Sequence, residues 1–202
     1  STPIKSSAAS DVYKRQKVLC VDTTTVDLVV AIVHENKIED FSVRGCGTRH
    51  SETLCNRVDF ALKQSGLTFS DIDAFACCIG PGSFTGIRVG IATLKGYLFA
   101  CGKPAVSFTS LHAIAVSSNC GETGSAVVDA GNGYYFADFS NGVAPCLISY
   151  EDQRAKNAGR CNGACDYLDG AVKIVRDAFV KGNFSQSLSP LYIRRSQAEE
   201  HR

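Results

Sequence analysis

Three segments of this 202-residue chain hold residue types that could do chemistry. The first is Gly80-Pro-Gly-Ser-Phe-Thr-Gly86, between an apolar run and a long helical stretch. Its glycines can turn successive backbone N–H groups toward an anion, with Ser83 and Thr85 adding hydroxyls at a helix N-terminus. It is not a P-loop, because Gly86 is followed by Ile87 and Arg88. A phosphate cradle using Gly82, Ser83 and Thr85 and a tight structural turn are equally good readings. The second segment is Asp22-Thr-Thr-Thr25. In a phosphotransferase Asp22 would hold Mg2+ through its waters while Thr23 and Thr24 meet phosphate. An Asx or ST turn needs the same residues for backbone reasons alone. The third, Asp129-Ala-Gly-Asn-Gly133, repeats the order of strand, carboxylate and polar turn. Asp129 and Gly131 could then oppose Asp22 across a nucleotide cleft.

Other reactive residues are isolated. His34, His50 and His112 form no H-x3-H or H-E-x2-H pair. Arg88 lies about a helical turn from the glycine loop and suits an anion or a partner's carboxylate as well as a solvated surface role. The ten cysteines show no C-x2-C spacing, and those in VLCVD and AFACCIG read as reduced, buried thiols. Cys161 and Cys165, four apart, would share one helical face and are the best candidates for a metal or redox site.

The elements that must position these residues follow from hydrophobic period. Lys17 to Val43 reads as three strands. In the second, Val29, Ala31 and Val33 fall on one face and Leu28, Val30 and Ile32 on the other, marking a central strand. Asn36 suits the turn that follows. Leu54, Val58, Ala61 and Leu62 give a helix opening at Ser51 and stopping at Gly66. After the strand FACCI, a helix runs from about Thr85 to Ala100 and stops at Gly102; being apolar nearly all round, it is expected to be buried. Strand AVSF and helix SLHAIAVSS follow, then strand SAVVDA, strand YYFADFS, a hairpin at Asn141-Gly142 and strand VAPCLISY. Residues 151–168 are weakly periodic, and AVKIVRDAFVKG is a helix ending at Gly182. Residues 1–16 read as a disordered leader or an appended scar, without the apolar core of a secretory signal. The repeated strand–Asp–turn pattern suggests a duplicated α/β unit, divided into 17–108 and 109–195, with a tail at 196–202.

With 21 basic against 20 acidic residues, the chain has no global field to draw nucleic acid or anionic lipid. At 45% apolar it can build a core without disulfides, and no run reaches the ~18 apolar residues of a membrane helix.

Taken together, VLCVDTTT, RHSETL, GPGSFTGIRVGIATLKG, the T-S-L helix, VVDAGNGYYFADF and SPLYIRR resemble the bacterial TsaB (YeaZ) family of tRNA threonylcarbamoyladenosine biosynthesis proteins, relatives of TsaD. The resemblance runs from Lys17 to about Arg195 and is densest over 17–112. It implies an α/β fold of two ribonuclease-H-like domains of the ASKHA (actin, sugar kinase, Hsp70) type, the second of them, 109–195, shortened relative to the family. It further implies a cytoplasmic, non-catalytic scaffold that binds a TsaD-like catalytic subunit, with a TsaE-like ATPase in the complex. The complex modifies N6 of the adenosine beside the anticodon, so tRNA would be met only indirectly. The helices 51–65 and 85–100 match those of the family's interface bundle, making Val58, Leu62, Ile87, Ile91 and Leu94 candidate interface residues and a homodimer the expected state when alone. No cofactor is required by the chain itself on this reading, with ATP or ADP and Mg at the complex interface as the cofactors in question. The alternatives are an autonomous ASKHA-type ATPase or kinase and, more remotely, a glycoprotease-like peptidase, for which the chain lacks a histidine pair.

Overall fold

The structure, a computed structural model, describes residues 16–34, 37–117, 119–120 and 124–193. The leader assigned to 1–16 lies outside them apart from Gln16, as do Asn36 and the tail 196–202. Five strands form the first sheet: β1 (Lys17–Asp22), β2 (Val29–His34), β3 (Lys37–Asp40), β4 (Ala74–Cys78) and β5 (Ala105–Phe108), in the order β3-β2-β1-β4-β5. β1, β2 and β3 form an antiparallel meander, while β4 and β5 run parallel to β1. Parallel neighbours require crossovers, and helices supply them. These are α1 (His50–Gln64), before β4, and α2 (Phe84–Cys101), between β4 and β5.

Side-chain alternation decides which helix covers which face. Leu19, Val21, Val30, Ile32, Phe75 and Cys77 point toward α1 and α2, packing on Leu54, Val58, Ile87, Ile91 and Leu94. Val18, Cys20, Val29, Ala31, Val33, Ala76 and Cys78 point the other way. There they meet α3 (Ser110–Val116) and α4 (Leu168–Lys181). The expected division of β2 into two apolar faces is what the core uses.

The second sheet is smaller: β6 (Ser125–Asp129), β7 (Tyr134–Asp138) and β8 (Val143–Ile148), an antiparallel meander in chain order. One face, with Ala126, Tyr135 and Ala137, joins the core around α3 and α4. The other, with Val127, Phe136 and Ile148, is covered by Ala155 and Ala158. The stretch from Ile148 to Asp169 has no strand, as its weak periodicity indicates; it holds two 3-10 turns, Gln153–Ala155 and Ala164–Tyr167, and one parallel bridge from Gly159 to Ala126.

Two expectations need correction. α2 is not buried all round: Ala92, Lys95, Gly96 and Ala100 are exposed and Phe99 is 93% exposed. The sheet covers only the stripe Ile87, Ile91, Leu94 and Leu98, and the apolar residues opposite it face outward. Cys161 and Cys165 do not share a helical face either, because Cys161 precedes the 3-10 turn that contains Cys165. No helix among the described residues is long and apolar enough to cross a membrane.

Candidate functional site

β1 ends in the core, so the turn that follows starts under cover. Asp22 is 2% exposed. Its Oδ1 accepts from the backbone N and the hydroxyl of Thr24, both at 2.7 Å, which closes an Asx turn. Its Oδ2 accepts from the Tyr167 hydroxyl at 2.8 Å. Tyr167 is 1% exposed, delivered by the 3-10 turn from the other half of the chain. Burial holds the Asp22 carboxyl above its ordinary value, and the Thr24 and Tyr167 hydrogen bonds oppose that shift. The same burial, with Asp22 beside it, raises the Tyr167 phenol well above its usual range, so the phenol keeps its proton and donates.

The remaining hydroxyls of the turn are also committed. Thr23 Oγ1 donates to the Gly86 carbonyl at 2.7 Å. Thr25 Oγ1 accepts from the Ala164 N–H at 2.9 Å and the Asp27 N–H at 3.2 Å. Next to it, Asp27 Oδ2 accepts from the Cys165 N–H at 3.1 Å, and its carbonyl accepts from His50 Nε2 at 3.0 Å. The turn 22–27 is therefore a junction where α1, α2 and the 3-10 turn meet.

The glycine loop is the other side of that junction. Ser83 caps α2, its hydroxyl accepting from the Gly86 N–H at 3.2 Å, while the Ser83 N–H donates to the Thr24 carbonyl at 2.7 Å. A Cβ on Gly86 would stand 1.9 Å from the Thr23 carbonyl oxygen, and one on Gly82 would stand 2.4 Å from that of Thr24. Only glycine lets the helix start approach the threonine turn this closely. Behind the loop, Ser110 Oγ donates to the Pro81 carbonyl at 2.6 Å and the Leu191 N–H donates to Ile79 at 2.8 Å. Outside it, Phe84 stacks on Tyr192 at 4.6 Å and receives the Arg88 guanidinium at 4.0 Å; Arg88 Nε also donates to the Tyr192 hydroxyl at 3.2 Å.

Asp22, Thr23, Thr24, Gly82 and Ser83 thus come together, but around one another. Thr85 is exposed on the first turn of α2. Asp129 is exposed at the end of β6, where its Oδ1 accepts from the Gly131 N–H at 2.6 Å and the Tyr150 hydroxyl at 3.1 Å. The expected cleft with Asp22 and Asp129 facing an open ligand does not form, because Tyr167 and Thr24 already satisfy Asp22. Three hydrogen bonds from the chain itself already fall on the two Asp22 oxygens, and the Thr23 and Thr24 carbonyls occupy the loop's close-approach positions. Tyr167 is the residue that sequence reasoning missed, because its bond to Asp22 spans 145 positions and leaves no local signal.

Val58, Leu62, Ile87, Ile91 and Leu94 are at most 5% exposed, so they cannot serve as interface residues in the folded chain. They belong to the core between helices and sheet. What α1 and α2 show to solvent is Phe60, with Arg57 over its ring at 5.3 Å, and the stripe Ala92, Gly96 and Phe99. A Cβ on Gly96 would meet nothing within 4 Å, so this part of α2 faces open space.

Comparison with known proteins gives these features a context. Residues 44–142 match the family described as TsaD: tRNA N6-adenosine threonylcarbamoyltransferase. The chain is 33% identical over 97 residues to the tRNA threonylcarbamoyladenosine biosynthesis protein TsaB of Haemophilus influenzae, aligning 48% of this chain with 41% of that protein. It is 31% identical over 100 residues to TsaB of Escherichia coli, aligning 49% with 42%. It is 37% identical over 99 residues to an uncharacterized protein of Mycobacterium tuberculosis, aligning 48% with 47%. The chain thus spans less than half the length of the curated relatives it matches. A solved Pseudomonas aeruginosa protein described as similar to peptidase YEAZ superposes with a TM-score of 0.72 at 21% identity, covering 89% of this chain and all of that one (100%). YeaZ from Pseudomonas aeruginosa gives 0.67 at 18% identity, covering 88% and 99%. The two-sheet α/β architecture is theirs, and about half of the chain is similar in sequence to TsaB proteins and to the TsaD family.

Proposed function

We propose that this chain is a non-catalytic subunit that binds a TsaD-type transferase in the formation of N6-threonylcarbamoyladenosine in tRNA. The observation that carries the reading is the sealed Asp22. A chain that used this fold to hold a nucleotide would keep that carboxylate open, whereas here Asp22 is 2% exposed and takes three hydrogen bonds from Thr24 and Tyr167. Any ATP or ADP in the complex would then be held by the partner or at the interface, and a TsaE-type ATPase would supply hydrolysis. The reading also draws on the outer face of α1 and α2, where Phe60 is 45% and Phe99 93% exposed. Exposed aromatic rings among small, polar and charged residues suit a partner's helices. The near balance of basic and acidic residues is in keeping with a component that meets tRNA through its partner.

The experiment combines the full chain with a TsaD-type subunit and reads association by calorimetry and adenosine modification by nucleoside analysis. Phe99→Asp should weaken association by roughly 30-fold, about 2 kcal/mol, and lower modification in parallel. Its circular dichroism should match the wild type, because the side chain makes little contact within the fold. Wild-type association without any loss in Phe99→Asp, or no association at all, would contradict the reading. Leu62→Asp is a poor probe, since it puts an unpaired carboxylate into the core and unfolds the chain before it tests an interface.

A further inference from the structure

Six of the ten cysteines fall into two groups. Cys20, Cys77 and Cys78 line the first sheet, where burial, with the Asp22 carboxylate nearby, raises their thiols well above the ordinary value. They stay protonated and inert. Cys120, Cys161 and Cys165 instead line one open cavity of about 480 Å3, with Arg44 and Arg160 also in its wall.

Backbone pairing brings Cys120 and Cys161 together. The Gly159 N–H donates to Ser125 at 2.9 Å, the Val127 N–H donates to Gly159 at 2.9 Å, and the Arg160 N–H donates to Cys120 at 3.3 Å. A Cβ on Gly159 would stand 2.7 Å from the Cys120 carbonyl oxygen, so glycine permits this approach and sets the next-but-one residue, Cys161, beside Cys120. Cys120 is 8% exposed, and its thiol donates to the Asp166 carbonyl at 3.6 Å. A hydrogen bond between the two thiols draws Cys120 below its ordinary value and pushes Cys161 above it. Of the two thiols, Cys120 is therefore the readier to ionise. Cys165 is held apart, its N–H on Asp27, and burial together with that carboxylate pushes its thiol up to about 12.

We infer that Cys120 and Cys161 form a thiol–disulfide exchange site that reacts with small disulfides of the oxidised-glutathione class entering this cavity. The Cys120 thiolate attacks one sulfur of the small disulfide. That S–S bond breaks, one small thiolate leaves and takes up the proton, and Cys120 holds a mixed disulfide. Cys161 then gives up its proton, attacks the Cys120 sulfur and expels the second small thiol. Two cysteines are oxidised to one disulfide, and one small disulfide is reduced to two thiols. The new bond would tie segment 159–163 to the loop at Cys120, immediately before the 3-10 turn that carries Tyr167 to Asp22.

The test uses the reduced full chain incubated with oxidised glutathione, quenched in acid and digested without reductant. Wild type should yield a peptide pair joined through Cys120 and Cys161, with two hydrogens lost from the intact mass. Cys161→Ser should instead accumulate glutathione on Cys120, and Cys120→Ser should give neither product, each with an unchanged circular dichroism spectrum. Adducts confined to the exposed Cys55, or a bond from Cys120 to Cys165, would overturn the assignment, and the wild-type map decides this even if a variant fails to fold.

Discussion

At the end of β1 and again at the end of β6, a strand stops on an aspartate that caps the amide two residues on. Asp22 accepts from Thr24 at 2.7 Å, and Asp129 accepts from Gly131 at 2.6 Å. Each aspartate also receives a tyrosine hydroxyl, from Tyr167 at 2.8 Å and Tyr150 at 3.1 Å. The local chemistry is the same, yet Asp22 is 2% exposed and Asp129 lies in water. The difference comes from what arrives over each turn. α2 and the 3-10 turn close on the first, while the Tyr150 side chain reaches the second and leaves Asp129 exposed. An Asx turn is thus set by adjacent residues, but whether its carboxylate is a ligand site or a structural bolt is set by elements far along the chain.

The comparison is broken most easily at the glycines. Gly86→Ala drives a Cβ into the Thr23 carbonyl and should cost about 3 kcal/mol or more, read as a shift in urea midpoint. Gly131→Ala has open space and only its φ of +80° to strain, so about 1 kcal/mol is expected. Equal losses would mean that the first turn is not closed. The tyrosines come next. Tyr167→Phe takes a donor from a buried carboxylate and should cost about 2 kcal/mol, against less than about 0.5 kcal/mol for Tyr150→Phe at the surface.

The smallest effect is in pH dependence. Burial raises the Asp22 carboxyl above its ordinary 3.8, so the folded chain binds that proton more tightly than the unfolded one. Its contribution to stability is therefore fully present below 3.8 and is lost as pH rises through the folded value. Asp22→Asn removes that titration, and the variant's stability relative to wild type should improve over the rise, measured by urea midpoints at successive pH values. A difference independent of pH would show that Asp22 is not buried in solution.

Much of the fold was legible because it rests on local periods. The two faces of β2, the stripe of α1 and the stop of α2 at Gly102, with its φ of +63°, follow from neighbours in the chain. The outward face of α2 was misjudged because Ala92, Gly96 and Phe99 are as apolar as the buried stripe, and composition cannot tell which side a sheet will cover. The site was legible as a set of residues but not as a geometry. Gly82 and Gly86 suit a phosphate and a close backbone approach equally well, and the Thr23 and Thr24 carbonyls that decide between them lie some sixty positions away. Tyr167, in a weakly periodic stretch, gave no sign that it closes the junction.

The burial of Asp22 beneath Tyr167 and Thr24 is tested most directly by calorimetric titration of the wild-type chain with Mg-ATP. The expected result is no saturable binding that depends on Asp22. A one-site isotherm in wild type that disappears in Asp22→Asn, with an unchanged circular dichroism spectrum, would mean that Tyr167 yields to the nucleotide and would contradict it.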